Sequence, residues 1–289
     1  MMIILGLVYL FSIFHVATSE SYTCDSQAPC GCSKQITAVL TKVVGGEAVQ
    51  IPHSWGWIGS LRRDGMHSCG ASLLTPWFAI TAAHCIDDIE SLSRITINFG
   101  TMDYMRDGEL RSITKMIIHP LFNRTSFTND LAILRLNKPI DLKNSNISCI
   151  CLPKKSETDL RVSEYPPIGA KLVAVGWGVT AFSMSLSSPV LRQVTLESMD
   201  PTEESCTNEI NDDVVQFCAG YAKGGKSTCR GDSGGPLMLF ANGRWQLAGI
   251  TSYGGICGSP ETASVYTRVA YYDLFIQNII NSNETDANS

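Results

Sequence analysis

An all-β fold is what this sequence predicts, and three observations predict it. Short runs of β-branched or alternating apolar residues recur along the chain, each ended by Gly, Pro or Asp. Only Tyr271 to Ile280 carries helical spacing. A chain of 289 residues, 44% of them hydrophobic, suits one large β unit or two small ones around a sizeable core. Many short strands and one terminal helix indicate a β-barrel architecture.

Taken in order, Met1 to Ser19 holds the apolar run Ile3 to Phe11 and closes on Ala17-Thr18-Ser19. That is the form of a secretory leader cut after Ser19. The run is shorter than the roughly 20 residues a membrane span requires, so no membrane anchoring is expected. Residues 20–42 carry Cys24, Cys30 and Cys32 without clear periodicity. Strands are predicted over Trp57–Leu61, Ala71–Leu74, Ile95–Phe99, Lys171–Gly176, Leu191–Leu196, Pro236–Phe240 and Trp245–Ile250. The terminal helix places Leu274, Phe275, Ile279 and Ile280 on one side. Asp159–Ile168 and Thr180–Pro189 are polar or Pro/Ser-rich and read as surface loops, and residues 282–289 read as a polar tail.

A net charge of −5 gives no reason to expect nucleic-acid binding. Eleven cysteines point to an oxidising compartment, and with the leader to a secreted, extracellular protein. Three sequons, at Asn123, Asn146 and Asn283, are candidate glycan acceptors.

The chemistry centres on Cys229-Arg230-Gly231-Asp232-Ser233-Gly234-Gly235-Pro236. A serine between glycines on a tight turn presents its hydroxyl with little cover, and bare backbone N–H groups can approach a substrate carbonyl. A serine hydroxyl is a weak nucleophile at neutral pH and needs a base, which needs an orienting group. Thr81-Ala82-Ala83-His84-Cys85 supplies a histidine, and Thr128-Asn129-Asp130-Leu131-Ala132 an aspartate at the mouth of an apolar run. His53, His67 and His119 read as ordinary core or surface histidines. With these three motifs in the order His, Asp, Ser, the chain from Val43 to Asn281 resembles the chymotrypsin/trypsin family of serine endopeptidases.

The resemblance implies two six-stranded antiparallel β-barrels with the active site in the cleft between them. His84 and Asp130 would come from the first barrel and Ser233 from the second. It divides the chain into a signal peptide (1–19), a propeptide (20–42), a protease domain (43–281) and the tail. A trypsin-like enzyme would cut after Lys42, and the new Val43 ammonium would pair with Asp232. That pairing would turn the Gly231 and Ser233 N–H groups into an oxyanion hole. Ser252, Tyr253 and Gly254 would pair with the substrate backbone; the family more often has Trp where Tyr253 stands. Ser227 would be the floor of the specificity pocket, Gly254 its mouth and Ser264 a wall residue that is usually Gly. The uncharged floor implies cleavage after Leu or Met, then Phe or Tyr. An elastase-like preference for small residues, or a catalytically silent binding protein, are the alternatives. Thr101 stands where calcium-binding relatives place a carboxylate, so Asp103, Asp107 and Glu109 are not expected to hold a metal. No cofactor is expected. The implied partners are protein substrates, an activating protease and protein inhibitors, acting on a monomer.

The resemblance also assigns the pairs Cys69–Cys85, Cys206–Cys218 and Cys229–Cys257. Of the remaining five, Cys30 or Cys32 is expected to bond Cys151, and a double staple through Cys149 is open. Cys24 is the candidate left without a partner.

Overall fold

Strand β1 (Ser19–Tyr22) pairs antiparallel with β2 (Thr37–Leu40), so the segment that lacks periodicity in sequence folds as a hairpin. The computed structural model describes residues 19–25, 27–40, 46–153, 164–180 and 186–284. Residues 1–18 of the expected leader, Lys42 and Val43, parts of both expected loops (159–163 and 181–185) and the expected tail from residue 285 lie outside the described residues.

After β3 (Glu47–Ala48) the chain builds a first barrel from β4 (Ile58–Arg63), β5 (Met66–Thr75), β6 (Phe78–Thr81), β7 (Ile95–Phe99), β8 (Glu109–Ile118) and β9 (Ala132–Leu136). These close antiparallel in the order β4-β5-β6-β9-β8-β7. A second barrel follows from β10 (Lys171–Gly176), β11 (Arg192–Ser198), β12 (Gln216–Gly220), β13 (Pro236–Ala241), β14 (Arg244–Gly254) and β15 (Ser264–Arg268). Its order is β10-β13-β14-β15-β12-β11, closed by pairing of β10 with β11, and β3 adds to the outside of β11. The expected pair of six-stranded barrels is therefore the observed fold.

Trp55, Trp57, Trp177 and Trp245 are buried in one core that runs from the first barrel into the second. Burying side chains of this size contributes ~1.5–3 kcal/mol each at least. Their indole N–H groups find acceptors: Gln193 Oε1 at 2.7 Å for Trp55, Thr37 Oγ1 at 2.9 Å for Trp245. Thr37 belongs to β2, so the N-terminal hairpin is stitched into this core, with Val39 buried against it.

Helix α1 (Glu204–Thr207) is a single turn, and α2 (Asp273–Glu284) follows a 3-10 turn at Val269–Tyr272. Three of the four residues expected on the inner side of α2 are there, Ile280 buried and Phe275 and Ile279 packed against the core, and Leu274 is the exception. Tyr272, Ile276 and Ile280 are buried at four-residue spacing, whereas Leu274 is 77% exposed. Leu274 lies half a turn away from Ile276 and so faces out.

The cysteines also require a correction. Cys24 pairs with Cys32 and Cys30 with Cys151, and Cys149 is the free cysteine, buried. Cys24 and Cys32 lie between the two arms of the hairpin, and the backbone N–H of Gly31 donates to the Cys149 carbonyl at 2.8 Å. Burial pushes the Cys149 thiol up to about 12, which keeps it protonated and unreactive. The other pairs are Cys69–Cys85, Cys206–Cys218 and Cys229–Cys257.

Candidate active site

β6 runs into a 3-10 turn, Ala83–Cys85, that carries His84, and the Cys69–Cys85 bridge ties this turn back to β5. Asp130 precedes β9, at the end of a loop in which Phe127 (φ 51) and Asn129 (φ 57) adopt the left-handed conformation. Its carboxylate is completely buried and receives three donors. His84 Nδ1 lies 2.7 Å from Oδ2, the His84 backbone N–H donates to Oδ1 at 2.9 Å, and the Ser252 hydroxyl donates to Oδ2 at 2.5 Å. A carboxylate can only accept, so Nδ1 carries the proton and Nε2 is left as the basic nitrogen. Asp130 is held by the second barrel too: the Thr267 hydroxyl donates to its backbone carbonyl at 2.8 Å.

Ser233 stands on the turn before β13. Its carbonyl accepts the Gly70 N–H at 2.7 Å, next to Cys69, so β5 positions both the serine turn and the histidine turn. Gly231 has φ +96, and an added Cβ would lie 2.8 Å from Ser187 Oγ and 3.2 Å from Gly178 Cα; only glycine suits that place. Its carbonyl faces His67 Nε2 at 3.0 Å, while His67 Nδ1 lies 2.9 Å from Ser60 Oγ. His67 therefore donates through Nε2 and accepts through Nδ1. Burial lowers its pKa, which favours this neutral form. In the sequence His67 reads as an ordinary histidine, and the signal of its place is its seat in the strand that bears Cys69.

Both Asp232 oxygens accept peptide N–H groups, Oδ1 from Gly178 at 2.8 Å and Oδ2 from Cys229 at 2.9 Å. Burial nonetheless pushes its pKa up to about 6. No cation among the described residues pairs with it. A cavity lined by Gly46, Gly176, Gly178, Gln193 and Asp232 opens beside this carboxyl, close to where the described chain resumes after Val43.

Ser227, Gly254 and Ser264 line one pocket together with Ser233, and the Cys229–Cys257 bridge joins two of its walls. The Ser227 hydroxyl accepts the Gly258 N–H at 2.7 Å, and no carboxylate is among the described residues lining the pocket. Ser252 and Tyr253 form its rim in β14.

The loop around Asp103, Asp107 and Glu109 already holds a cation. Arg62 reaches Asp107 at 3.0 Å and donates to the Tyr104 and Arg106 carbonyls at 2.7 and 3.1 Å. Glu109 pairs with Arg111. Of the sequon residues, Asn123 is exposed and Asn146 half-buried, while Asn283 lies in α2.

A protein-family model described as Trypsin matches residues 43–276. Transmembrane protease serine 11E of Mus musculus is 34% identical over 253 residues, which cover 86% of this chain and 57% of that protein. Transmembrane protease serine 11C of Mus musculus is 34% identical over 234 residues, 80% of this chain and 52% of that protein. The clotting factor G beta subunit of Tachypleus tridentatus is 31% identical over 261 residues, 83% of this chain and 80% of that protein. The chain thus spans a little over half the length of the two mouse relatives. No helix among the described residues is long and apolar enough to cross a membrane.

Proposed function

Because the chain belongs to the trypsin family of serine proteases, we propose that it is a secreted serine endopeptidase, made as a zymogen and activated by cleavage after Lys42. The observation that carries this reading is the buried Asp130 carboxylate taking both N–H groups of His84, which leaves Nε2 as a general base. In the proposed mechanism Ser233 Oγ attacks the peptide carbonyl as His84 takes its proton. The N–H groups of Gly231 and Ser233 hold the developing oxyanion. His84 then protonates the leaving amine, and water repeats the sequence on the acyl-enzyme.

The pocket supports a preference for Leu and Met, then Phe and Tyr. A buried Lys or Arg of the substrate would meet hydroxyls and no carboxylate, and would carry an uncompensated desolvation cost. Hydrolysis of short reporter peptides ending in Leu, Met, Phe, Ala or Arg tests this, before and after a trypsin treatment that is then fully quenched. Activity on Leu, Met and Phe should emerge only after treatment and be absent in Ser233→Ala. Dominant activity on Arg would refute Ser227 as the pocket floor, and dominant activity on Ala would favour the elastase-like alternative. No activity from a chain shown to be cut after Lys42 would favour the silent homologue.

The two mouse relatives are transmembrane proteases by name, so retention in the membrane is the competing location. Expression of the full chain followed by separation of medium and alkali-washed membranes decides between them; the medium is expected.

Cleavage after Lys42 is not expected to release residues 20–42. The Cys30–Cys151 bridge would keep them attached, as the light chain of a two-chain enzyme. The activated protein should therefore run as one band without reductant and lose a piece of about twenty residues with it. Two separated pieces without reductant would contradict this pairing.

A further inference from the structure

Residues 126 and 127, at the first barrel's rim of the cleft, hang from side chains of the second barrel. Gln216, 1% exposed in β12, donates from Nε2 to the Phe127 carbonyl at 3.0 Å and to the Ser126 carbonyl at 3.4 Å. Its Oε1 accepts the backbone N–H groups of Asn211 at 3.1 Å and Asp212 at 3.2 Å. Asn211 adds a second layer. Its Nδ2 donates to the Ser126 carbonyl at 3.1 Å and to the Tyr253 hydroxyl at 2.8 Å, and that hydroxyl donates to the Glu209 carbonyl at 2.8 Å. Tryptophan, the residue more usual in the family at position 253, has no hydroxyl to fill this place.

What the network holds is a strained residue. Phe127 sits at φ 51, a conformation that costs a non-glycine residue of order 1 kcal/mol or more and persists only where its surroundings enforce it. In that conformation its ring stands edge-on to the His84 imidazole, centroids 5.5 Å apart, and lies 5.3 Å from the Tyr253 ring. The two aromatic rings form a ledge beside His84, next to the pocket that Tyr253 rims.

We propose that Gln216 is a positioning residue for peptide hydrolysis: by suspending the Ser126 and Phe127 carbonyls from the second barrel, with Asn211 and the Tyr253 hydroxyl, it fixes the aromatic ledge on which substrate residues upstream of the cut bond rest. This rests on the endopeptidase reading. Substrates that reach past the pocket depend on the ledge, and a substrate that fills the pocket alone does not.

The test compares two substrates on activated full-length enzyme, with concentrations set by active-site titration. One is a single-residue leucine ester, the other a tetrapeptide amide ending in leucine. Gln216→Glu keeps the side-chain volume and loses the Nε2 donors, and Asn211→Ala removes the exposed layer without disturbing the core. Both should raise KM for the tetrapeptide by about tenfold, the scale of one or two lost hydrogen bonds, with kcat within about twofold. The ester's kcat/KM should stay within about twofold of the unaltered enzyme. Should Gln216→Glu not fold, Asn211→Ala carries the test. Equal losses on both substrates, or no change in KM for the tetrapeptide, would overturn the proposal. An unaltered enzyme that hydrolyses neither substrate would instead overturn the endopeptidase reading.

Discussion

Asp130→Asn should lower kcat by about four orders of magnitude while leaving the protein folded. The carboxylate now takes three N–H or O–H donors, from His84 Nδ1, the His84 backbone and the Ser252 hydroxyl. An amide of the same shape has one acceptor oxygen and one donor nitrogen, so it cannot satisfy all three. With the oxygen toward the His84 backbone N–H, the NH₂ group confronts Nδ1 and forces its proton onto Nε2. The nitrogen proposed as base would then have no lone pair to offer Ser233. Steady-state kinetics on the preferred peptide, with circular dichroism to establish the fold, makes the measurement. A loss below about tenfold would show that the His84–Asp130 pair is not the working base.

The second large effect concerns Asp232. Asp232→Asn should be cut after Lys42 as readily as the unaltered chain and yet be slower in kcat by a factor of about 10² or more, the cost of losing one oxyanion donor. The carboxylate receives the N–H groups of Gly178 and Cys229, and an amide oxygen can take only one of them. The site also leaves no room to compensate: a Cβ on Gly178 would lie 2.3 Å from Asp232 Oδ2. N-terminal sequencing beginning at Val43 establishes the cut, and full activity in that cut variant would refute the proposed pairing of the Val43 ammonium with Asp232 that forms the oxyanion hole. A pH signature accompanies the loss. The folded pKa of about 6 lies above the ordinary 3.8, so the folded chain holds a proton that the unfolded chain gives up first. Stability of the uncut protein should therefore fall as pH rises from about 4 to about 6 and level off above. Asp232→Asn should abolish that fall, as read by denaturant titration across the window.

How much of this was legible in the sequence follows from what each residue faces. Ile95–Phe99 and Lys171–Gly176 are strands over the expected residues, since each is a β-branched or apolar run with clear punctuation. Glu109–Ile118 escaped notice because most of its side chains point to solvent or sit half-covered, so its apolar alternation is broken. Gln216–Gly220 escaped for the opposite reason: it is buried at every residue but short, and it opens on a glutamine. The three motif residues were legible because their chemistry is local, a base or nucleophile set on a turn. The positions of His67 and Gln216 were not, because each acts on a segment far along the chain and only the closed barrels bring them together. The pairing of Cys24 with Cys32 is not legible for the same reason, as hairpin geometry decides it and spacing does not.

The hairpin of β1 and β2 changes what counts as the enzyme. Thr37 caps the Trp245 indole, Ala38 offers its carbonyl to Gln193 at 2.8 Å, and Tyr22 packs on Phe240 and Trp245. A recombinant chain started at Val43 would strip an apolar seam, leave the buried Trp245 indole N–H without its acceptor and reduce the Gln193 amide to Glu47 alone. The β1–β2 hairpin belongs to the scaffold as much as any barrel strand. On the proposed activation after Lys42, production would begin from the longer chain and cut it afterwards.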